Sequence, residues 1–465
     1  MFMLLLSVTV AFGQAKWGGI ARQVAMGGAN AGTRVVVNPF IWEDPTFMLL
    51  NPAYQTMYKD YLWMNIGGGT LAGLTTANNG YGQQNAGLNF ALNKEITVGA
   101  IFSYDPSSAG VISGLIAGNG GAAFGFPTFT IAQRATQVIP PIANVWEAIA
   151  SIDGGTLDLG FGFMYGTSNI DSSNSANVGG AATSNTREAS SRMFGFRGGG
   201  ILDLGGGSAL GFSAALRLDK ANDKMARTGL TTPDGDYSAS GTELQVEARL
   251  KLKMSNRLNF VPYGTFATVS GEPKEDTKPT AATTATSKST KLTGTGIALG
   301  AGGEYKTSDF FLAGGISFTS IKIKIEANQA AVGATPASST TAEFSYTAIP
   351  VFNLGGEWWF LDWLAGRAGY YRALGSVKGT SKSASGTNTI SLESNRTVPL
   401  SFLVVGGLTP GSFDGIVTLG VGMRFGNFSL DATVSEEALR RGFGLIGAQD
   451  NINSFGFMTA SYNFQ

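Results

Sequence analysis

The segment from Leu244 to Met254 alternates strictly between apolar and polar side chains. Its sequence is LQVEARLKLKM, in which every even-numbered residue is apolar and every odd-numbered residue is polar or charged. Because successive side chains of a β-strand point to opposite faces, this segment has one apolar and one polar face. A tilted strand of about 9–11 residues crosses a bilayer. The same alternation recurs along the chain and predicts an all-β fold: a transmembrane antiparallel β-barrel with a polar lumen.

The composition supports a membrane protein over a set of soluble domains. The chain has 465 residues, of which 14% are charged, whereas about 25% is usual for soluble domains. No apolar run long enough for a helical span follows the N-terminus, and a closed barrel is the other structure that satisfies every backbone group in lipid. The formal net charge of zero gives no reason to expect a nucleic-acid partner.

The chain contains no histidine and no cysteine. Hydrolases that use a Ser–His or Asp–His pair are therefore excluded, as are metal sites built from imidazole or thiolate ligands. We expect a protein that is not an enzyme and needs no metal or cofactor.

Tight turns rich in Gly, Asn and Asp alternate with long polar connections along the chain, as short periplasmic turns and long outer loops do in outer-membrane barrels. The alternation predicts sixteen strands. The predictions for 59–69 and 142–152 rest on the weakest patterns, and without one pair of strands the barrel would have fourteen. The others are 83–92, 95–105, 155–166, 190–203, 208–219, 240–254, 257–270, 289–306, 309–326, 342–360, 363–378, 413–425, 427–435 and 453–464. The predicted outer loops are 106–140, 167–189, 220–238, 271–289, 327–341, 379–412 and 436–452. A β-sandwich would also alternate, but it would not need this regular placing of turns.

The N-terminal part of the chain differs from the rest. Residues 1–13, MFMLLLSVTVAFG, have the short apolar core and small-residue end of a signal peptide, with a buried first strand or helix as the alternative. Residues 14–58 are apolar but aperiodic, so they suit a hatch (plug) folded inside the barrel, where their apolar side chains find a place to pack. The barrel itself is expected to span 59–465.

Two short motifs in the predicted hatch are similar to those of a known family. Met26-Gly27-Gly28 is followed by Asn51-Pro52-Ala53 shortly before the first strand. This order resembles the outer-membrane long-chain fatty-acid and hydrophobic-compound transporters, so the hatch motif comprises Gly27, Gly28, Asn51, Pro52 and Ala53. Members of that family have fourteen strands, and the sixteen predicted here are a departure.

The resemblance implies passive uptake of hydrophobic or amphipathic molecules, such as long-chain fatty acids, across a bacterial outer membrane by a protein that is expected to be a monomer. It implies a hydrophobic small-molecule ligand and outer-membrane lipid as partners, with lateral release at a break in a strand. Pro262 and Pro350 interrupt good strands and mark such breaks or harmless bulges. Type IX secretion shuttles share the motif, so a protein-binding barrel remains an alternative, as does a structural or open surface porin.

Candidate ligand-binding residues come from the hatch and from the polar face of the strands. Arg and Lys suit a carboxylate head group, and apolar hatch residues suit its tail. The ligand-binding candidates are Phe40, Trp42, Phe47, Leu49, Arg249, Lys251 and Lys253. Alternation also directs Arg197, Arg217, Lys322, Lys324, Arg367 and Arg424 inward. The alternative for the hatch residues is a plug core, and for the cations pairing with wall or hatch. Apolar residues between Val111 and Val138 form a second candidate site.

Overall fold

The computed structural model describes residues 18–30, 35–67, 84–104, 144–178, 181–228, 235–278, 286–331, 337–383, 386–397, 416–434 and 455–464. The first two ranges hold a helix α1 (Ile20–Ala25), a two-stranded sheet of β1 (Ala29–Asn30) and β2 (Val35–Val36), and two 3₁₀ helices, Pro45–Leu49 and Pro52–Met57. None of the helices in the described residues is long and apolar enough to cross a membrane. The predicted signal peptide and the candidate site between Val111 and Val138 lie outside the described residues.

The remaining strands form one closed antiparallel barrel in which β20 pairs with β3. They are β3 (Tyr61–Gly67), β4 (Gln84–Ala91), β5 (Ile96–Tyr104), β6 (Asn144–Ile152), β7 (Leu157–Val178), β8 (Ala181–Gly205), β9 (Ser208–Thr228), β10 (Gly235–Lys253), β11 (Leu258–Phe260), β12 (Tyr263–Thr277), β13 (Thr286–Lys306), β14 (Phe310–Gln329), β15 (Ser338–Leu361), β16 (Leu364–Ser383), β17 (Gly386–Thr397), β18 (Ile416–Phe425), β19 (Phe428–Val434) and β20 (Phe455–Asn463).

The barrel wall has sixteen strands. β11 and β12 are two segments of one strand, since both pair with β10 and β13. β17 and β18 likewise run along successive parts of β16. The all-β barrel and the upper end of the predicted range of fourteen to sixteen strands are therefore confirmed.

An apolar belt surrounds the outside of the barrel. On β7 the outward residues Phe161 and Phe163 are 59% and 44% exposed, and the neighbouring strand presents Phe194 and Phe196 beside them. Large aromatic side chains also ring the turn end, where Trp363 stacks on Phe425 with ring centroids 5.9 Å apart. Exposed apolar side chains on this scale need a lipid environment, and aromatic girdles occur at membrane interfaces. The barrel is therefore a transmembrane barrel.

Most of the wall rises far above this belt. β7 has 22 residues and is about 70 Å long, measured along the tilted strand, whereas the apolar belt of an outer-membrane barrel is about 25 Å tall. On β8 and β9 the outward face changes from apolar to charged between two successive cross-strand pairs. Phe194 pairs with Leu218, and the next outward pair, further from the turns, is Arg192 with Lys220.

The predicted loops 167–189, 220–238, 271–289 and 379–412 are consequently wrong over much of their length. The strands continue through them to short tips, and only residues 179–180 and 384–385 separate the described strands at two of those tips. Serine, threonine and charged residues fill these extensions, so no apolar face for lipid marks them as strands. The predicted loops 106–140 and 436–452 lie outside the described residues.

Above the belt the polarity of the wall inverts on β13, β14 and β15. Leu292, Ile323 and Tyr346 face the inside of the barrel and are buried, whereas Lys322 and Lys324 face outward. The prediction that these two lysines point into the lumen is wrong. It assumed that the apolar face of β14 meets lipid along its whole length. In this part of the strand the outward face meets water, and the apolar face lines the interior of the barrel.

A bulge in β15 accompanies this change. Val351 pairs with Ser317 and Ala348 pairs with Thr319, so Ile349 and Pro350 together oppose Phe318, and this strand has one extra residue. The bulge changes which residues face inward, from odd numbers such as Asn353 to even numbers such as Ala348. Proline has no N–H for the ladder, and bulges are where sheets tolerate it. The wall stays hydrogen-bonded around Pro262, since Leu250 N–H donates to Pro262 O at 3.0 Å.

Candidate functional site

The described hatch residues fill the turn end of the barrel interior. Their apolar side chains pack with inward residues of the wall into one buried cluster, which includes Trp42, Phe47, Met48, Tyr54 and Tyr58 from the hatch. The cluster has wall members on five strands: Tyr61, Trp63, Ile101, Ile149, Ile201 and Ala313, with Val261 between β11 and β12. The hatch therefore closes this end of the barrel with a packed core.

The Asn51-Pro52-Ala53 motif fixes the second 3₁₀ helix to the wall. The Asn51 side chain accepts a hydrogen bond from Ala53 N–H at 3.0 Å and so caps the helix, while Pro52 occupies the first helical position, where its missing donor costs nothing. The Asn51 amide also donates to Gly200 O at 3.2 Å and Phe212 O at 3.1 Å on two adjacent strands. This motif is therefore an anchor of the hatch.

Gly27 and Gly28 let the hatch backbone approach the wall at a second place. Gly27 has a φ of 78°, and a Cβ there would overlap the backbone of Leu354 on β15. Asn353 donates from its side chain to Gly27 O at 2.8 Å. Gly28 N–H donates to Gln23 O at 2.9 Å and ends the turn after α1. Only glycine combines this backbone conformation with so close a contact.

Buried charges join α1 to the wall. Arg22 donates to Asp44 within the hatch at 3.1 Å and to Glu357 on β15 at 3.0 Å. Glu357 also accepts from Arg367 at 2.6 Å, and Arg367 lies 2.6 Å from Asp431. All five side chains are at least nine-tenths buried. We call these five residues the hatch ion network.

The side chains of the network stay charged although they are buried, where an unpaired charge would be costly. Burial alone would lower the pKa of Arg22, but Glu357 and Asp44 outweigh it and raise this pKa above its ordinary value. Burial raises the pKa of Asp44, and the neighbouring Arg22 charge opposes that rise. Buried charges tolerate such surroundings only when paired, so each member depends on the others.

Sequence reasoning did not find most of this network. Arg367 was predicted to face inward, but Arg22, Asp44 and Glu357 were not singled out. Glu357 sits on the polar face of an alternating strand, which is the signal that was available. Its partner Arg22 is 335 residues away in the chain and lies in the aperiodic hatch, where no spacing rule reaches it.

Arg249 is engaged by the hatch in this structure. Its guanidinium lies 3.8 Å from the centre of the Phe47 ring and 5.3 Å from that of Trp42. It donates to Pro39 O at 2.9 Å, to Ile41 O and, at 3.4 Å, to the Tyr54 hydroxyl. Arg249 thus holds the hatch by cation–π contacts and hydrogen bonds together.

The other candidate ligand residues have different surroundings. Phe40 is fully buried and lies edge-on to Tyr263, while Leu49 is only partly buried at the edge of the apolar cluster. The Lys251 ammonium lies 5.5 Å from the centre of the Trp42 ring and 3.9 Å from Glu43, and Lys253 is exposed at the turn end. The structure therefore brings Trp42 and Phe47 of the hatch together with Arg249 and Lys251 of β10. A ligand role for these residues stays a prediction.

Neither a protein-family model nor a curated protein matches the chain. Among solved structures it is similar to the toluene transporter TodX of Pseudomonas putida, at 11% identity and a TM-score of 0.39, covering 96% of this chain and 98% of that one. It is also similar to the monoaromatic hydrocarbon channel CymD, at 10% identity and a TM-score of 0.36, covering 97% and 96%. At such identities and scores the similarities assign no function. What the fold and site define is a transmembrane β-barrel closed by an internal hatch.

Substitution of Gly160 by valine is expected to displace the hatch. A Cβ at Gly160 would overlap the backbone of Pro52 and Ala53, where neither the strand nor the helix has a flexible side chain to move. The ion conductance of the purified protein in planar bilayers should rise as the plug loosens. The matched control is Gly198→Val on the opposite face of the wall, where the added Cβ would meet only the Phe161 ring at 3.9 Å. Equal conductance of the two variants would contradict the tight packing of this contact.

Proposed function

We propose that this protein carries hydrophobic or amphipathic small molecules, such as long-chain fatty acids, passively across a bacterial outer membrane. The observation that carries the proposal is the inverted polarity of the wall above the membrane. There the inward residues of β13–β15 are apolar, although the barrel has water outside at this height. A channel for ions or sugars has no use for such a lining, whereas a hydrophobic molecule that leaves water gains from it.

The hatch supports the same proposal. A plug joined to the wall by buried charges, by Asn51 and by Arg249 closes the turn end to polar solutes. A hydrophobic molecule does not need an axial pore, because it can leave sideways into the bilayer. The bulge of β15 at Ile349 and Pro350 lies beside both the apolar lining and the lipid belt, and we propose it as the place of exit.

Binding should therefore depend on the apolar length of the ligand. Each buried methylene contributes about 0.8 kcal/mol before ordering costs, so affinity should rise steadily along a series of fatty acids. The measurement is equilibrium binding of matched acids and alcohols to the protein in neutral detergent. Affinity that does not change with chain length, or no binding at all, would contradict the proposal and favour the protein-binding alternative.

The head-group preference is tested at Lys251. We expect Lys251→Gln to weaken binding of acids more than of the matched alcohols, since a lysine ammonium pairs with the carboxylate alone. Lys251 suits this test better than Arg249, whose substitution would also release Pro39 and Ile41 of the hatch. Lys253→Gln, which alters an exposed lysine at the turn end, is the matched control. An equal loss for acids and alcohols would contradict a head-group role for Lys251.

A further inference from the structure

A basic groove opens on the outer surface of the wall, away from the lumen. It has a volume of about 470 Å³ and crosses β13, β14, β15 and β16. Three lysines, four hydroxyl side chains and one acid contribute to its lining: Lys322, Lys324, Lys378, Thr293, Thr295, Ser345, Thr380 and Glu343. Cations and hydroxyl donors together favour an anion as its occupant.

The ladder holds two of the lysines on either side of a serine. Lys322 is the cross-strand partner of Ser345, and Ser345 is the partner of Lys378 on the next strand. Neighbouring strands are about 4.8 Å apart, so one small anion above Ser345 is within reach of both lysine side chains. Lys324 lies one step further from the membrane and is engaged by Glu326 at 2.7 Å. Within the described residues, neither Lys322 nor Lys378 forms an ion pair.

The groove stands at the upper edge of the apolar belt. On β14 the outward residues closer to the turns are Ser320, Phe318 and Ile316, of which Ile316 is 51% exposed. The bulge of β15 turns Ile349 outward, where it is 62% exposed. The groove therefore places cations immediately above side chains that meet lipid acyl chains.

Cations also lie directly above apolar side chains at a second place on the upper edge of the apolar belt. Arg192 and Lys220 are adjacent on the outward faces of β8 and β9, directly above Phe194 and Leu218. Two like charges side by side repel each other unless an anion lies between them. The upper edge of the belt thus carries neighbouring cations on two separated parts of the wall.

We propose that the groove at Lys322 and Lys378 binds the phosphate head group of a membrane lipid whose acyl chains lie against Ile349 and Ile316. The shape of the site favours a lipid over a free anion, because the groove opens sideways at the height of the head groups and continues into an apolar surface. Lysine binds phosphate as a point charge and needs no exact orientation, which suits a mobile lipid. This assignment is independent of what passes through the lumen.

Native mass spectrometry of the intact protein in neutral detergent tests the proposal. The probes are bisphosphorylated lipid A, the same lipid without its phosphates, and inorganic phosphate. The variant Lys322→Gln/Lys378→Gln is compared with Lys224→Gln/Lys274→Gln, in which two outward lysines further from the belt are changed. We expect the first variant to bind the phosphorylated lipid at least about tenfold more weakly, since each charge-assisted contact is worth about that factor.

The control variant should bind like the wild type, and the lipid without phosphates should not distinguish the variants. The proposal is overturned if both double variants bind the phosphorylated lipid equally well. It is also overturned if inorganic phosphate competes at the concentration at which the lipid binds, because the site would then be one for free anions. All four lysines are on the outer surface, and unchanged gel migration of the unheated barrel checks that each variant is folded.

Discussion

The variant Glu357→Leu is expected to lose about 3–5 kcal/mol of unfolding free energy, the usual cost of breaking a buried ion pair by removing one partner. Glu357 accepts hydrogen bonds from both Arg22 and Arg367, so its loss weakens the pairing of two buried guanidinium groups. Denaturant unfolding of the barrel in lipid vesicles measures the change. Because the network also holds α1 against the wall, conductance in planar bilayers should rise.

The matched control is Glu343→Leu on the same strand. Glu343 is exposed on the outer face, so its loss should change stability by no more than about 0.5 kcal/mol. Similar losses from both variants would contradict the assignment of Glu357 to a buried network. A large loss of stability with no change in conductance would separate the network from the position of the hatch.

Placing a charge in the apolar belt is expected to have the other large effect. Phe161→Arg puts a guanidinium at a strongly exposed position midway along the belt face of β7, at a cost of about 2–4 kcal/mol. Asn169→Arg changes the same face of the same strand above the belt, where water solvates the charge, and should be nearly neutral. The same unfolding measurement compares them, and equal stabilities would contradict the height assigned to the membrane.

Much of the barrel could be predicted from the sequence because lipid imposes a simple rule. Where one face meets acyl chains and the other a polar lumen, alternation is sharp, as from Leu244 to Met254. Each of the sixteen predicted strands therefore coincides with a barrel strand. Turn residues such as Gly205 to Gly207, all with positive φ, marked the hairpins at the membrane's inner side.

Outside the belt the rule no longer applies. The extension of β7 beyond Tyr165 has polar residues on its outer face, and nothing in its composition separates a tall strand from a loop. On β14 the alternation of isoleucine with lysine separates two faces of the strand, but it does not determine which of them faces outward. That choice depends on whether the surrounding medium is lipid or water.

The site was less predictable than the fold. The glycine and Asn-Pro-Ala motifs marked the hatch, but the bonds from Asn51 to two wall carbonyls depend on a contact about 150 residues away in the sequence. The candidate Arg249 was found by alternation alone, and its engagement by Phe47 and Ile41 depends on how an aperiodic segment folds.

Uptake by living cells tests the central claim most directly. The protein is expressed in a bacterial host whose own hydrophobic-compound channels have been removed, and entry of a labelled long-chain fatty acid is compared with entry of a labelled oligosaccharide. The proposed function predicts faster fatty-acid entry than in cells without the protein, with unchanged oligosaccharide entry because the hatch stays closed. Faster entry of the oligosaccharide with no change for the fatty acid would contradict it.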